Sequence, residues 1–191
     1  MDPELFEIYK LTQPRDTNFQ PSQFAFEGNR EMVAHQLKDK IKHENFGFNQ
    51  LHYDVVKLNK LTDKYATASI TKKGISDNNV TPLHFACINP NVEVLEKLLN
   101  QSPEVHVADG SLNKPIHFAA CCSSPEPLKL LLEKGANVFD VNNVKKSALH
   151  FAALCSRPEN VTAIIGAQRN VFKLRDRQNC TGFVYALKVG D

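Results

Sequence analysis

His84, His117 and His150 stand 33 residues apart, each inside nearly the same phrase. The phrases are Thr81-Pro82-Leu83-His84-Phe85-Ala86, Lys114-Pro115-Ile116-His117-Phe118-Ala119 and Ser147-Ala148-Leu149-His150-Phe151-Ala152. Glu93, Glu126 and Glu159 keep the same spacing, and a fourth copy opens at Thr181, 34 residues after Ser147. A unit this short cannot bury its own apolar face. Such units must stack in register and share their core between neighbours.

Local chemistry divides each unit in the same way. Thr81 and Ser147 are suited to cap a short first helix, and Pro82 and Pro115 occupy a first helical position where no N–H is missed. The alanines that follow keep this helix thin, so neighbouring units can approach closely. A proline-bearing turn then opens a second helix, as in Ser124-Pro125-Glu126. Its apolar stripe is Val92, Val94, Leu95, Leu98 and Leu99 in one unit, and Leu128 with Leu130–Leu132 in the next. Gly135 closes the latter helix. Asp, Asn and Gly then mark short extended fingers at 105–114, 138–147 and 172–181.

Thr-Pro-Leu-His-x-Ala at the head of a 33-residue period resembles the ankyrin repeat. The resemblance implies an all-α solenoid of helix-turn-helix units joined by short β-hairpin fingers. It divides the chain into repeats at 81–113, 114–146 and 147–180, with a truncated repeat at 181–191. Residues 1–80 read as divergent N-terminal capping repeats with an insertion. Within them, 24–40 resembles a helix pair, 51–61 a second helix, and 64–79 an overlong finger. The fourth copy stops before a second helix, which leads us to expect a piece of a larger protein. The stretch 80–155 also resembles the ankyrin regions attached to some poly(ADP-ribose) polymerases of the tankyrase type. That resemblance implies a catalytic domain outside this chain, in an ADP-ribosyltransferase parent.

The matched histidines invite a metal reading, and the period argues against it. Equivalent residues of stacked helices lie roughly 8–10 Å apart, too far for two rings to share an ion. In the family, this histidine instead holds the fingers to the helices. The five cysteines (Cys87, Cys121, Cys122, Cys155 and Cys180) form no C-x-x-C pair, and Cys122 and Cys155 fall 33 apart on one expected face. An odd count without a secretory leader points to reduced thiols in the cytoplasm or nucleus. "MDPELFEIYK" puts acids where a leader would be basic, and no apolar run is long enough to span a membrane. With no convergent carboxylates and no glycine-rich phosphate loop, we expect no catalytic residues, no metal and no cofactor.

Function then rests on binding. Carried over by position, the concave finger and first-helix surface comprises Asp77, Asn78, Val80, Ile88 and Asn89 in the first clear unit. The second adds Gly110, Ser111, Asn113, Cys121 and Cys122, and the third Asn143, Val144, Lys145, Lys146, Leu154 and Cys155. Arg177, Gln178 and Cys180 complete it. Net charge is only +2, yet residues 140–190 carry 8 basic against 3 acidic side chains. Lys145, Lys146, Lys173, Arg175 and Arg177 thus favour a protein or peptide partner with an acidic segment. Nucleic acid and poly(ADP-ribose) rank below it, because no aromatic residue for base stacking stands among the finger cations.

Overall fold

The computed structural model describes residues 21–42, 46–58, 72–74, 77–101 and 104–189. Among these the helices are α1 (Pro21–Phe26), α2 (Arg30–Lys40), α3 (Gln50–Lys57), α4 (Pro82–Ala86), α5 (Val92–Gln101), α6 (Pro115–Ala119), α7 (Glu126–Glu133), α8 (Ala148–Leu154), α9 (Pro158–Ala167) and α10 (Gly182–Val189). A 3-10 turn spans Arg169–Lys173. First helices α3, α4, α6, α8 and α10 stack in that order, while second helices α5, α7 and α9 form an outer layer. The expected all-α solenoid is what folds. Its fingers hold two isolated antiparallel bridges, Gly74 with Val80 and Val141 with Ser147, among the described residues.

The repeated histidine is the bracket of each unit. Its Nδ1 accepts the backbone N–H of the capping residue three positions earlier: Thr81 to His84 (3.1 Å), Lys114 to His117 (2.9 Å) and Ser147 to His150 (3.1 Å). The Thr81 and Ser147 hydroxyls lie 2.8 and 2.9 Å from the same nitrogen. With Nδ1 accepting, Nε2 carries the proton and donates to the next finger. It reaches Asn113 O at 3.2 Å, Asp140 O at 3.1 Å and Cys180 O at 3.1 Å. One side chain therefore closes its own helix start and ties down the following unit. Replacing His117 with alanine leaves two part-buried backbone groups, Lys114 N–H and Asp140 O, without their partner, and we expect a loss of about 1–3 kcal/mol in urea unfolding. A zinc chelator should leave the melting temperature unchanged; chelator-induced loss of helicity would restore the metal reading.

The finger turns repeat as strictly. Asp109 Oδ1 accepts from Ser111 and Asn113 N–H, Asn142 Oδ1 from Val144 and Lys146, and Asp176 Oδ1 from Gln178 and Cys180. Each turn is left-handed at an equivalent residue, Asn79, Leu112, Lys145 and Asn179, with φ of 62, 63, 61 and 62°, and the first turn also at Asn78 with φ of 56°. Adjacent fingers are stitched by Gly110 N–H to Asn78 O (2.6 Å), Asn143 to Ser111 (2.9 Å) and Arg177 to Val144 (3.0 Å).

Upstream the arrangement departs from expectation. Gln50–Lys57 is a first helix, not a second one. Asn49 N–H donates to His52 Nδ1 at 3.1 Å, and α3 packs on α4 as the later first helices pack on each other. His52 lies 32 residues before His84 and is a fourth member of the series. Asn89 accordingly caps the end of α3, its amide donating to Val55 O (2.9 Å) and Leu58 O (2.8 Å). Residues 24–40 do form a helix pair, turning at Gly28 with φ of 70°. Most of the expected insertion over 64–79 lies outside the described residues.

Candidate functional site

The α1–α2 hairpin determines which part of the expected binding surface is open. It does not sit beyond α3 as one more unit; it runs across the first-helix face of the stack. At its start, Ser22 donates its N–H (2.8 Å) and hydroxyl (2.5 Å) to the Asp77 carboxylate. Farther along, the Phe26 ring packs on Phe118 of α6 (4.5 Å between centroids) and Phe151 of α8 (4.7 Å). Arg157 donates Nε to Cys121 O (3.1 Å) and Nη2 to Gly28 O (3.4 Å). Arg30 then reaches the Val56 carbonyl at the end of α3, and Glu31 pairs with Lys57.

Amphipathicity explains the seat. Met32, Val33, Ala34, Leu37 and the adjoining Phe24 and Ala25 are all buried, while Glu31, His35, Lys38 and Asp39 face out. The apolar face continues the core of the stack rather than forming a separate one. Burial of those side chains stabilises the hairpin's seat by roughly 1.5–3 kcal/mol per large residue.

Beneath or beside the hairpin lie several of the residues expected to contact a partner. Ile88, Cys121 and Cys122 are buried, and Leu154 and Cys155 are half-buried. Asp77, Val80, Asn89 and Asn113 are buried and spent on internal bonds or packing: Asp77 on Ser22, Asn89 on α3, and Asn113 on Asp109 and Asn142. Asn78 and Ser111 are half-buried and bond to each other (2.5 Å). Lys146 is half-buried, with its ammonium 4.7 Å from the Tyr185 ring. Gly110 is exposed and Cys180 half-buried at the base of its finger.

A second set is brought together in the open. Asn143, Val144 and Lys145 lie exposed on one finger, and Arg177 and Gln178 on the next. Leu112 joins them at 54% exposure, a residue absent from the expected surface. A leucine at φ 63° costs backbone energy that Asn or Gly would avoid, and it buries little in return. Its alignment with Asn79, Lys145 and Asn179 at the same turn position was the available signal. Of the finger cations, Lys173 lies over the Phe172 ring and Arg175 donates to Asn179 O, while Lys145 and Arg177 have no ion pair among the described residues.

Burial tunes the titratable groups of this face. His52 is pushed down to about 3 and both His84 and His117 to about 4, each by desolvation; His150 is lowered by the same cause. Asp77 is pushed up to about 6 by burial, against the pull of its Ser22 bonds. Among the described residues no three His, Cys, Asp or Glu side chains gather as a metal site, and no helix is long and apolar enough to cross a membrane. An apolar cleft of about 570 Å³ between α8, α9 and α10 is lined by Leu149, Ile165, Phe172 and Phe183.

A family profile described as ankyrin repeats (3 copies) matches residues 49–142 and 83–176. Its first match begins at Asn49, the residue that opens the His52 unit. A poly [ADP-ribose] polymerase tankyrase of Caenorhabditis elegans is 29% identical over 82 residues, 43% of this chain. The matched region is 4% of that relative's length.

Proposed function

The chain belongs to the ankyrin-repeat family, and from that premise we propose that it binds a protein partner along the outer edge of its fingers. The observation that carries this reading is the row of stitched finger tips. Leu112, Asn143, Val144, Lys145, Arg177 and Gln178 are held in fixed register by inter-finger backbone bonds, yet their side chains are mostly exposed. Such a row is preorganised, so little entropy is lost when a segment docks on it. The cations at Lys145 and Arg177 favour acidic residues in that segment, and Leu112 with Val144 supplies the apolar anchor. The first-helix part of the surface, around Ile88, Cys122, Leu154 and Cys155, becomes available only where the α1–α2 hairpin is displaced.

The test is quantitative capture from a cell extract, comparing the wild type with K145E/R177E, with L112N and with the outer-helix control E96K/K129E. The charge reversals should slow association about 3–10-fold and flatten its salt dependence. L112N should raise the dissociation rate on the order of tenfold, as loss of an anchor does. If the outer-helix control abolishes capture and the finger variants do not, the partner uses the opposite face and the proposal fails.

On this reading the chain acts by binding and not by catalysis. Five free cysteines support an intracellular setting, in cytoplasm or nucleus. A second reading rests on the tankyrase similarity: the module serves as a targeting or scaffold region of a larger ADP-ribosyltransferase. Sequencing the full transcript decides it, since a parent without a transferase domain eliminates that reading.

A further inference from the structure

Where α1 ends, its last carbonyl meets two thiols. Cys155 Sγ donates to Phe26 O at 3.0 Å, and Cys121 Sγ approaches the same oxygen at 4.0 Å. Both sulfurs thus gather about one carbonyl oxygen, with His117 O a nearer acceptor for Cys121 at 3.5 Å. Arg157 straddles the place, bonded to Cys121 O on the stack and Gly28 O on the hairpin. This is not the Cys122–Cys155 pair that the 33-residue spacing aligns. Cys122 turns away to donate to Ile88 O at 3.4 Å, and α8 runs on to Leu154 where α6 stops at Ala119. Cys121 is 1% exposed, whereas Cys155 is half-buried, so solvent reaches the pair through Cys155.

We propose that Cys155 and Cys121 are a hydroperoxide-sensitive thiol pair whose oxidation loosens the α1–α2 hairpin from the first-helix face. In the first step, the Cys155 thiolate attacks one oxygen of hydrogen peroxide. An S–O bond forms, the O–O bond breaks, and the departing hydroxide takes the proton the thiol released, leaving sulfenic acid and water. In the second step, Cys121 sulfur attacks the sulfenic sulfur. An S–S bond forms, the S–O bond breaks, and hydroxide leaves with the Cys121 proton as a second water. Two thiols and one peroxide thus become one disulfide and two waters.

The order of attack follows from the surroundings. The neighbouring Cys121 thiol and then the Arg157 guanidinium hold Cys155 below the ordinary thiol range. Burial pushes Cys121 well above it. The accessible, more acidic sulfur is therefore the nucleophile, and the buried one resolves. Two sulfurs gathered about one carbonyl oxygen, at 3.0 and 4.0 Å from it, are placed to bond by side-chain rotation. A disulfide has no S–H, so the Phe26 carbonyl loses the donor that Cys155 supplies at 3.0 Å. The hairpin end over α6 and α8 is then held by Phe26 packing and Arg157 alone. The consequence is local: Ser22–Asp77 and the Arg30 contacts remain.

Hydrogen peroxide added to the intact chain at one to five equivalents, followed by alkylation and non-reducing peptide mapping, tests this without any partner. The expected first product is the Cys121–Cys155 linked peptide, formed before any oxidation of half-buried Cys180. Amide exchange over 22–28 should rise several-fold on oxidation and return on treatment with dithiothreitol. In Cys121→Ser, Cys155 should stop at sulfenic acid, trapped by dimedone. In Cys155→Ser, whose hydroxyl still donates to Phe26 O, peroxide should leave exchange over 22–28 unchanged. The proposal is overturned if Cys180 oxidises first, or if the cross-link forms while exchange over 22–28 stays constant. It is equally overturned if peroxide loosens the hairpin in Cys155→Ser as much as in the wild type.

Discussion

Acidification from pH 6 to pH 5 should remove about 2–3 kcal/mol of stability, well before ordinary carboxylates titrate. His52, His84 and His117 are buried and neutral in the fold, with values of about 3, 4 and 4, against about 6.5 in the unfolded chain. Below pH 6.5 the unfolded state therefore binds three protons that the folded state refuses, so stability falls as pH falls. The loss continues until pH drops through the folded values. Asp77 acts in the opposite direction. Its folded value of about 6 lies above the unfolded carboxylate, so between roughly pH 6 and 4 the folded state holds one extra proton. Three protons against one leaves a net of about two, and each contributes about 1.4 kcal/mol per pH unit. His150, lowered too, steepens the slope. Urea unfolding at pH 7, 6 and 5 measures it, and Asp77→Asn should steepen the decline by about 1.4 kcal/mol per unit. Equal stability at pH 7 and pH 5 would mean that these rings accept protons without leaving their bonds.

Phe118→Ala should be among the most damaging single substitutions in the chain. The ring is fully buried and touches Phe26 of the hairpin at 4.5 Å, His84 of the preceding unit at 5.0 Å and Phe85 at 6.3 Å. Removing it leaves a cavity shared by three elements that cannot collapse together, and costs about 3–5 kcal/mol. For a chain this long, that lowers the melting temperature by about 10 °C. Hydrogen exchange over 22–28 should rise at the same time, because Phe26 loses its contact with the Phe118 ring. Phe183→Ala, at a position 70% exposed, should by contrast change stability by no more than about 0.5 kcal/mol. If the two substitutions cost the same, the ring at 118 does not join hairpin to stack.

The sequence alone determined the features that recur with the period. The proline-led helix starts, the glycine stop at Gly135 and the Nδ1 half of each histidine bracket are local, depending on residues within about four positions. The histidine phrase recurs three times in register, at 84, 117 and 150, and its Nε2 half reaches the next finger. The His52 unit was obscured by substitution. Tyr53-Asp54-Val55-Val56 stands where the others carry Phe followed by small residues, and Asn49 replaces Thr or Ser, leaving only Leu51-His52 as the trace. The tertiary structure alone decided the rest, because those contacts join residues 95 and 129 positions apart, as at Cys121–Phe26 and Cys155–Phe26. Amphipathicity says that residues 24–40 bury one face, but no periodicity says against what. The lowest free energy was reached by laying that face across α6 and α8, where Phe118 and Phe151 accept Phe26. That choice buried Asp77 and Cys121, and left the finger tips as the open surface.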